Sequence, residues 1–144
     1  MKKFAVVLAL ICLGTAAQAQ GPVTSYGPEE NVFGSCRPAI TLTNTTKDPI
    51  DYLQIDVRYQ LRDGRSVVAE HKSRYEQGVA APIAPAATRA LVIHHDESTP
   101  FGAVCADVMK GTVVGFVCRT VSGQACAGMP GVRIGAELAL PRRQ

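Results

Sequence analysis

The feature that most constrains the fold is a strictly alternating stretch over residues 53–62. In a β-strand, successive side chains point to opposite faces, whereas a helix would scatter the same residues around its circumference. The pattern therefore predicts a strand with one buried face and one solvent face, which is typical of an antiparallel sheet. The apolar positions are Leu53, Ile55, Val57, Tyr59 and Leu61, and the polar ones are Gln54, Asp56, Arg58, Gln60 and Arg62.

Shorter apolar or alternating stretches occur on both sides of this strand. Asp63-Gly64 predicts a tight hairpin turn, because both central residues of a type I′ turn have positive φ. Pro82 and Pro85 exclude a regular central strand between residues 78 and 88. With turn residues at intervals of about 8–12 and no long helical pattern, the sequence predicts an all-β, antiparallel sandwich of about seven strands. The further strand segments are 38–43, 65–75, 89–95, 112–120 and 132–140, and residues 103–109 form a short segment that fits either a strand or a helical turn.

Residues 1–19 have the composition of a secretory signal peptide. Lys2 and Lys3 precede an apolar run from Phe4 to Leu13, and Ala17-Gln18-Ala19 matches a signal-peptidase cleavage site. The apolar run has about ten residues, whereas a membrane-spanning helix needs roughly twenty. We therefore predict cleavage after Ala19 and a periplasmic or secreted protein with no membrane span.

Residues 20–35 are predicted to form an extended N-terminal arm, and residues 36–144 the sandwich domain. Gly21-Pro22 and Gly27-Pro28 interrupt any regular pattern in the arm. The arm carries Tyr26 and Phe33, so it is a candidate to occupy an exposed sheet edge in its own chain or in a neighbour. A mobile leader is the alternative.

Four cysteines remain after removal of the signal peptide, which contains Cys12. An even number of cysteines in an oxidising compartment predicts two disulfides, and four cysteines allow three pairings. Cys118 and Cys126 flank a Ser-Gly turn and could bridge the arms of a hairpin, which favours the pairs Cys118–Cys126 and Cys36–Cys105. No C-x-x-C motif or histidine spacing indicates a zinc site at these cysteines.

Charge and motifs exclude several classes of function. The chain has 15 basic and 12 acidic residues, and loss of Lys2 and Lys3 leaves 13 against 12, a net charge of +1. A nucleic-acid binder normally has a concentrated basic stripe, which the sequence lacks. The sequence has no G-x-S-x-G elbow and no glycine-rich phosphate loop, and the paired acids Glu29-Glu30 lie in the arm. We therefore predict no catalytic residues, no enzyme activity and no cofactor.

A resemblance to known domains rests on residues 38–95. Ile40-Thr41-Leu42-Thr43-Asn44, Pro49-Ile50-Asp51, the strand at 53–61 and Asp63-Gly64 resemble the opening strands of small bacterial immunoglobulin-like or fibronectin type III-like domains, such as the FxLYD-type domains of secreted proteins. Residues 83–88 resemble a later turn of those domains, with Ala86 in place of the usual glycine, and the F-x-L-Y-D string itself is absent. A looser resemblance is to the exported interleukin receptor mimic family. The resemblance implies an immunoglobulin/fibronectin type III-like sandwich, a fold that hosts many functions.

Two clusters are candidate binding sites. His94-His95-Asp96-Glu97 contains metal-capable side chains, with His71 as a candidate third ligand. Adjacent residues at a strand end point to opposite faces, which favours an ordinary polar strand end over a metal site. Arg58, Arg62 and Arg65 could bind an anionic partner, although Asp56 and Asp63 beside them favour a solvated face.

Three functional hypotheses remain open at this stage. The first is an exported, non-enzymatic protein that binds another protein or an envelope component through residues that the sequence does not identify. The second is an accessory subunit of an envelope assembly that uses its arm or an edge strand, including homodimers formed by exchange of either. The third is a small metal-binding protein or enzyme centred on His94 and His95.

Overall fold

A computed structural model describes residues 23–75, 77–93, 101–126 and 133–141 of the chain. The predicted signal peptide and the His94-His95 cluster lie outside these residues. The three residues Cys105–Asp107 form the one described helical turn, so no described helix has the length and apolar character that a membrane crossing requires. The described strands, in chain order, are β1 (Val23–Val32), β2 (Ser35–Thr43), β3 (Ile50–Leu61), β4 (Ser66–Lys72), β5 (Thr88–Ile93) and β6 (Val108–Thr120).

The strands form two antiparallel sheets that share β5. In the first sheet, β2 lies between β1 and the start of β5, where Ile40 is opposite Leu91. In the second sheet the order is β5-β4-β3-β6, with Ile93 at the end of β5 opposite His71. Strands that pass from one sheet to the other in this way form the corners of sandwiches. The prediction of an all-β sandwich is confirmed.

The alternating stretch forms most of β3, which lies between β4 and β6 in the second sheet. Its five apolar side chains are at most 4% exposed, whereas Arg58 on the opposite face is exposed and Asp56 is half-buried. The five apolar side chains pack against Ile40, Leu42 and Leu91 of the first sheet in one continuous core. The predicted register of this strand is therefore confirmed.

Residues 23–32, which belong to the predicted N-terminal arm, form the edge strand β1. Tyr26 pairs with Ile40 and Glu29 with Pro38, and the register shifts between these two pairs. The shift is a β-bulge that accommodates Gly27, at φ 114°, and Pro28. A bulge on an edge strand tolerates the glycine and proline that the sequence pattern suggests would interrupt a strand. The predicted extended segment therefore lies on a sheet edge of its own chain over residues 23–32.

Two disulfides are formed, with the predicted pairing. Cys36 at the start of β2 bonds to Cys105 immediately before β6, across a sequence separation of 69. Cys118 near the end of β6 bonds to Cys126, across a separation of 8. The two bonds lie at opposite ends of β6, so each fixes a different end of the sandwich.

The described C-terminal residues, 133–141, follow part of the β6 edge without forming a continuous strand. Val113 N–H donates to the Ala136 carbonyl and Leu138 N–H to the Gly111 carbonyl, each at 2.9 Å. A turn at residues 134–135, with Gly135 at φ 86°, limits the pairing to this short contact. The alternation at 132–140 correctly predicts that Leu138 packs against the core, where it is partly buried. It does not predict the irregular backbone that the structure has there.

The turn at residues 84–87 predicts a stabilising substitution. Ala87 N–H donates to the Ala84 carbonyl, and Ala86 has a φ of 63°. Left-handed backbone costs a residue with a Cβ atom about 1–2 kcal/mol, partly offset by the greater unfolded-state freedom of glycine. Ala86→Gly is therefore expected to raise the free energy of unfolding by about 0.5–1 kcal/mol in chemical denaturation. Ala84→Gly, in the same exposed turn without positive φ, is the control and should lower it; shifts of the same sign would contradict the prediction.

Candidate functional site

Three chain segments meet at one end of the sandwich, which we call the hairpin end. They are the β1–β2 turn at Phe33-Gly34, the β3–β4 turn at residues 62–65, and the segment 101–107 that precedes β6. The Cys36–Cys105 bond joins the first segment to the third, and Cys36 N–H donates to the Ala103 carbonyl at 2.7 Å. Arg62 N–H donates to the Asp107 carbonyl at 2.8 Å, which joins the second segment to the third.

A groove of about 350 Å³ lies between the β3–β4 turn and the segment 101–107. Leu61 and Ala103 supply apolar groups at its surface. The side chains of Arg62 and Arg65 lie on its walls with Asp63 and Asp107. Sequence analysis identified these two arginines as candidate anion-binding residues; Arg58, the third, is exposed on the outer face of β3 opposite Thr112 and does not line the groove.

Both arginines in the groove are already ion-paired. Arg62 Nε donates to Asp107 Oδ1 at 3.2 Å and Nη2 to the Ala106 carbonyl at 3.3 Å. Arg65 Nε donates to Asp63 Oδ2 at 2.7 Å. Hydrogen bonds from the Arg65 backbone N–H and side chain hold the pKa of the Asp63 carboxyl below its ordinary value. The groove is consequently neutral, which disfavours a free anion as its ligand.

Phe33 lies at the tip of the β1–β2 hairpin with no side-chain burial. Val32 is opposite Ser35, so Phe33 and Gly34 form a two-residue loop, and both have positive φ, at 49° and 75°. This is the pattern of a type I′ turn, which favours asparagine, aspartate or glycine at both positions. Phenylalanine occupies the first position with a relative exposure of 104%. Sequence analysis noted Phe33 as an apolar group in the arm but did not place it in a turn.

Two polar side chains are hydrogen-bonded to each other in the buried interior. The hydroxyl of Tyr59 and Nε2 of His71 share a hydrogen bond of 2.8 Å, and both residues are fully buried. The Tyr59 ring also contacts Phe101 and Tyr26, with ring centroids 5.0 and 6.5 Å away. Burial raises the pKa of Tyr59 and lowers that of His71 to about 4. Nδ1 of His71 has no hydrogen-bond partner of good geometry among the described residues, and the nearby Leu91 carbonyl offsets only part of the effect of burial on its pKa.

A third cluster stabilises the opposite end of the second sheet. Arg74 and Arg119 both donate to Asp51 Oδ2, at 3.0 and 3.3 Å, and both guanidinium groups lie over the ring of Tyr52. The hydrogen bond from Arg74 is the main cause that lowers the pKa of the Asp51 carboxyl. Arg74 also donates to the carbonyls of Tyr75 and Gly78, so this cluster fixes the connection after β4.

The candidate metal ligands are not brought together by the described residues. His94 and His95 lie outside them, and Nε2 of His71 is hydrogen-bonded to Tyr59 in the core. His71, the candidate third ligand, lies on β4 with its side chain directed into the sandwich, where it is fully buried. Another group of metal-capable atoms, from Glu29, Cys36 and Cys105, is not a metal site, because the two sulfur atoms are bonded to each other.

We compared the chain with protein-family models, with curated proteins and with solved structures. None of the three comparisons finds a match. The resemblance to immunoglobulin-like or fibronectin type III-like domains therefore stays a prediction.

Proposed function

We propose that this chain is an exported, non-enzymatic binding protein that contacts another protein through its hairpin end. The observation that carries the proposal is Phe33, a large apolar side chain that is wholly exposed at a positive φ. Placing the residue there has two separate costs: water contact for the whole ring, and a backbone conformation that favours glycine or asparagine. An exposed aromatic residue on a strained turn is typical of a binding contact, where burial of the ring against a partner recovers free energy.

The hairpin end also has the rigidity that favours binding. The Cys36–Cys105 bond and the Cys36–Ala103 hydrogen bond connect the β1–β2 hairpin to the neighbouring segment. The Asn31 side chain accepts a hydrogen bond from Cys105 N–H at 2.7 Å on the same hairpin. A preorganised loop loses less conformational entropy on association than a mobile one, so more of the contact energy contributes to affinity.

Export and the absence of catalysis are parts of the same proposal. The predicted signal peptide and the two disulfides support a periplasmic or secreted location, where thiols are oxidised. Tyr59 and His71, whose pKa values are the most perturbed among the described residues, are enclosed in the core and out of reach of a substrate. These features support a binding role for the protein, with a protein or another envelope component as the partner.

One observation supports the alternative of an accessory subunit in an envelope assembly. Among the described residues β1 pairs with β2 alone, so it is the edge strand of the first sheet. An edge strand can accept an extended segment of a partner. This alternative predicts that association depends on the backbone of β1 rather than on the ring of Phe33. The hypothesis of a metal site at His94 and His95 stays a prediction, tested by metal analysis of the purified protein.

The proposal is tested by separating stability from association at residue 33. Phe33→Asn removes the ring and introduces a residue that tolerates positive φ, so the free energy of unfolding should stay equal or rise. We expect the variant to lose most of its photo-crosslinked or co-purified partner in a periplasmic extract. Val79→Asn removes an equally exposed apolar side chain (103%) from the β4–β5 connection and is the matched control. Equal capture by both variants and the unmodified protein would refute the hairpin end as the binding site.

A further inference from the structure

We infer that the partner at the hairpin end is a second copy of this chain, and that Phe33 of each copy inserts into the groove of the other. The inference rests on the proposed function and names its partner. The result is a symmetric dimer. The exposed ring of each copy fills the open groove of the other, and both features lie at the same end of the sandwich.

The groove has the size and lining that a phenyl ring requires. Its volume of about 350 Å³ lies within the range of ligand-binding pockets, roughly 300–1,000 Å³. Leu61 and Ala103 offer an apolar surface for the ring edge. Gly102, at φ 51°, lies on the same side and has no side chain to fill the space.

The arginines in the groove favour an aromatic ring over an anion. Each guanidinium group uses Nε and Nη2 in hydrogen bonds within its own plane, to Asp107 and Ala106 for Arg62 and to Asp63 and Gly102 for Arg65. These bonds offset the charge of each guanidinium group, and both arginine side chains are still more than half exposed, at 62% and 54%. A guanidinium face stacks on an aromatic ring, so arginines that are both ion-paired and accessible favour phenylalanine over a free anion.

The two halves of the contact have a fixed spacing within one copy. The Cys36–Cys105 bond and the hydrogen bond from Cys36 N–H to the Ala103 carbonyl join the Phe33 hairpin directly to one wall of the groove. Because Phe33 is fully exposed, it does not occupy the groove of its own chain. A two-fold axis through the hairpin end makes the same contact twice and closes the assembly at two copies, so no filament forms.

The charges around the groove also permit two identical surfaces to meet. The charges of Arg62 and Arg65 are cancelled by Asp107 and Asp63, so like ends do not repel strongly. Val104 in the same segment is 38% exposed and extends the apolar contact area. Because the contact is confined to the hairpin ends, we expect a concentration-dependent dimer with a Kd in the micromolar range or weaker.

Sedimentation of the exported chain, purified with both disulfides intact, measures this equilibrium over a concentration series. Because the symmetric dimer has two buried rings, Phe33→Ala should weaken dimerisation by roughly a hundredfold or more, which is about tenfold or more for each ring. Arg65→Lys keeps the charge but removes the planar face, and should also weaken dimerisation. Val79→Ala is the matched control and should leave the Kd unchanged. A chain that is monomeric at all concentrations, or a dimer whose Kd is the same in Phe33→Ala, would overturn the inference.

A photo-crosslinking amino acid at position 33 identifies the contacted surface. In a mixture of isotope-labelled and unlabelled copies, we expect intermolecular adducts with peptides that contain residues 61–65 or 102–107. Adducts elsewhere on the second copy would overturn the exchange of Phe33. A monomeric protein that forms adducts at position 33 with a different protein of a periplasmic extract would overturn the self-association and retain the proposed function. Absence of any adduct, with no effect of Phe33→Ala on association, would overturn both.

Discussion

Replacing both Cys36 and Cys105 with serine is expected to lower the free energy of unfolding by about 4 kcal/mol. The bond closes a loop with a sequence separation of 69, and in the chain-entropy description the stabilisation grows with the logarithm of loop length. The same bond connects the β1–β2 hairpin to the start of β6, so its loss also loosens the hydrogen bond from Cys36 N–H to Ala103. Chemical denaturation of the double variant against the unmodified protein measures the effect.

Removing the second bond provides the matched comparison for the first. The loop closed by Cys118–Cys126 has a separation of only 8, so the double serine variant should lose about 2.5 kcal/mol. The order of the two effects matters more than their absolute sizes, because strain and unfolded-state structure alter both. A larger loss on removal of the short-loop bond would show that loop closure is not the main source of stabilisation.

The strand β3 was predictable because its period is unambiguous and its environment is simple. One face of this central strand packs against the first sheet and the other is largely polar, so the burial pattern follows directly from alternation. The position of β6 was harder to predict. The predicted segment 112–120 begins after Lys110-Gly111, yet β6 begins at Val108 and runs through both residues. A Cβ at Gly111 would lie 3.1 Å from the Tyr59 ring, so glycine allows the close packing of β6 against this ring. That contact is visible only in the folded structure.

The hairpin end was not predicted because its parts lie far apart in the sequence. The turn at Phe33-Gly34 carried one recognisable signal, a glycine between two extended segments, but Gly27-Pro28 obscured the first of those segments. The groove depends on the pairing of Leu61 with Val108, which brings Arg62 to Asp107 across 45 residues. The sequence places Arg62 and Arg65 beside Asp63, but the ion pair between Arg62 and Asp107 in one wall of the groove is visible only in the fold.

The buried His71 predicts a marked loss of stability in mild acid. Its pKa is lowered from an ordinary value of about 6.5 to about 4, mainly because burial disfavours the charged imidazolium. Between these two values the unfolded chain binds a proton that the folded chain does not, so stability falls as the pH falls from 6.5 to 4. The loss should reach about 3 kcal/mol at pH 4 and then level off for this group, since a pKa difference of one unit corresponds to about 1.4 kcal/mol.

Substitutions at the three histidines separate this effect from other acid-sensitive groups. His71→Gln does not titrate and its amide can keep the hydrogen bond with the Tyr59 hydroxyl, so the pH dependence between 6.5 and 4 should largely disappear. In the double variant His94→Gln/His95→Gln, His71 is the remaining histidine and the pH dependence should persist. Chemical denaturation at a series of pH values measures both. A full pH dependence in His71→Gln would assign the acid sensitivity to carboxyl groups and not to the Tyr59–His71 pair.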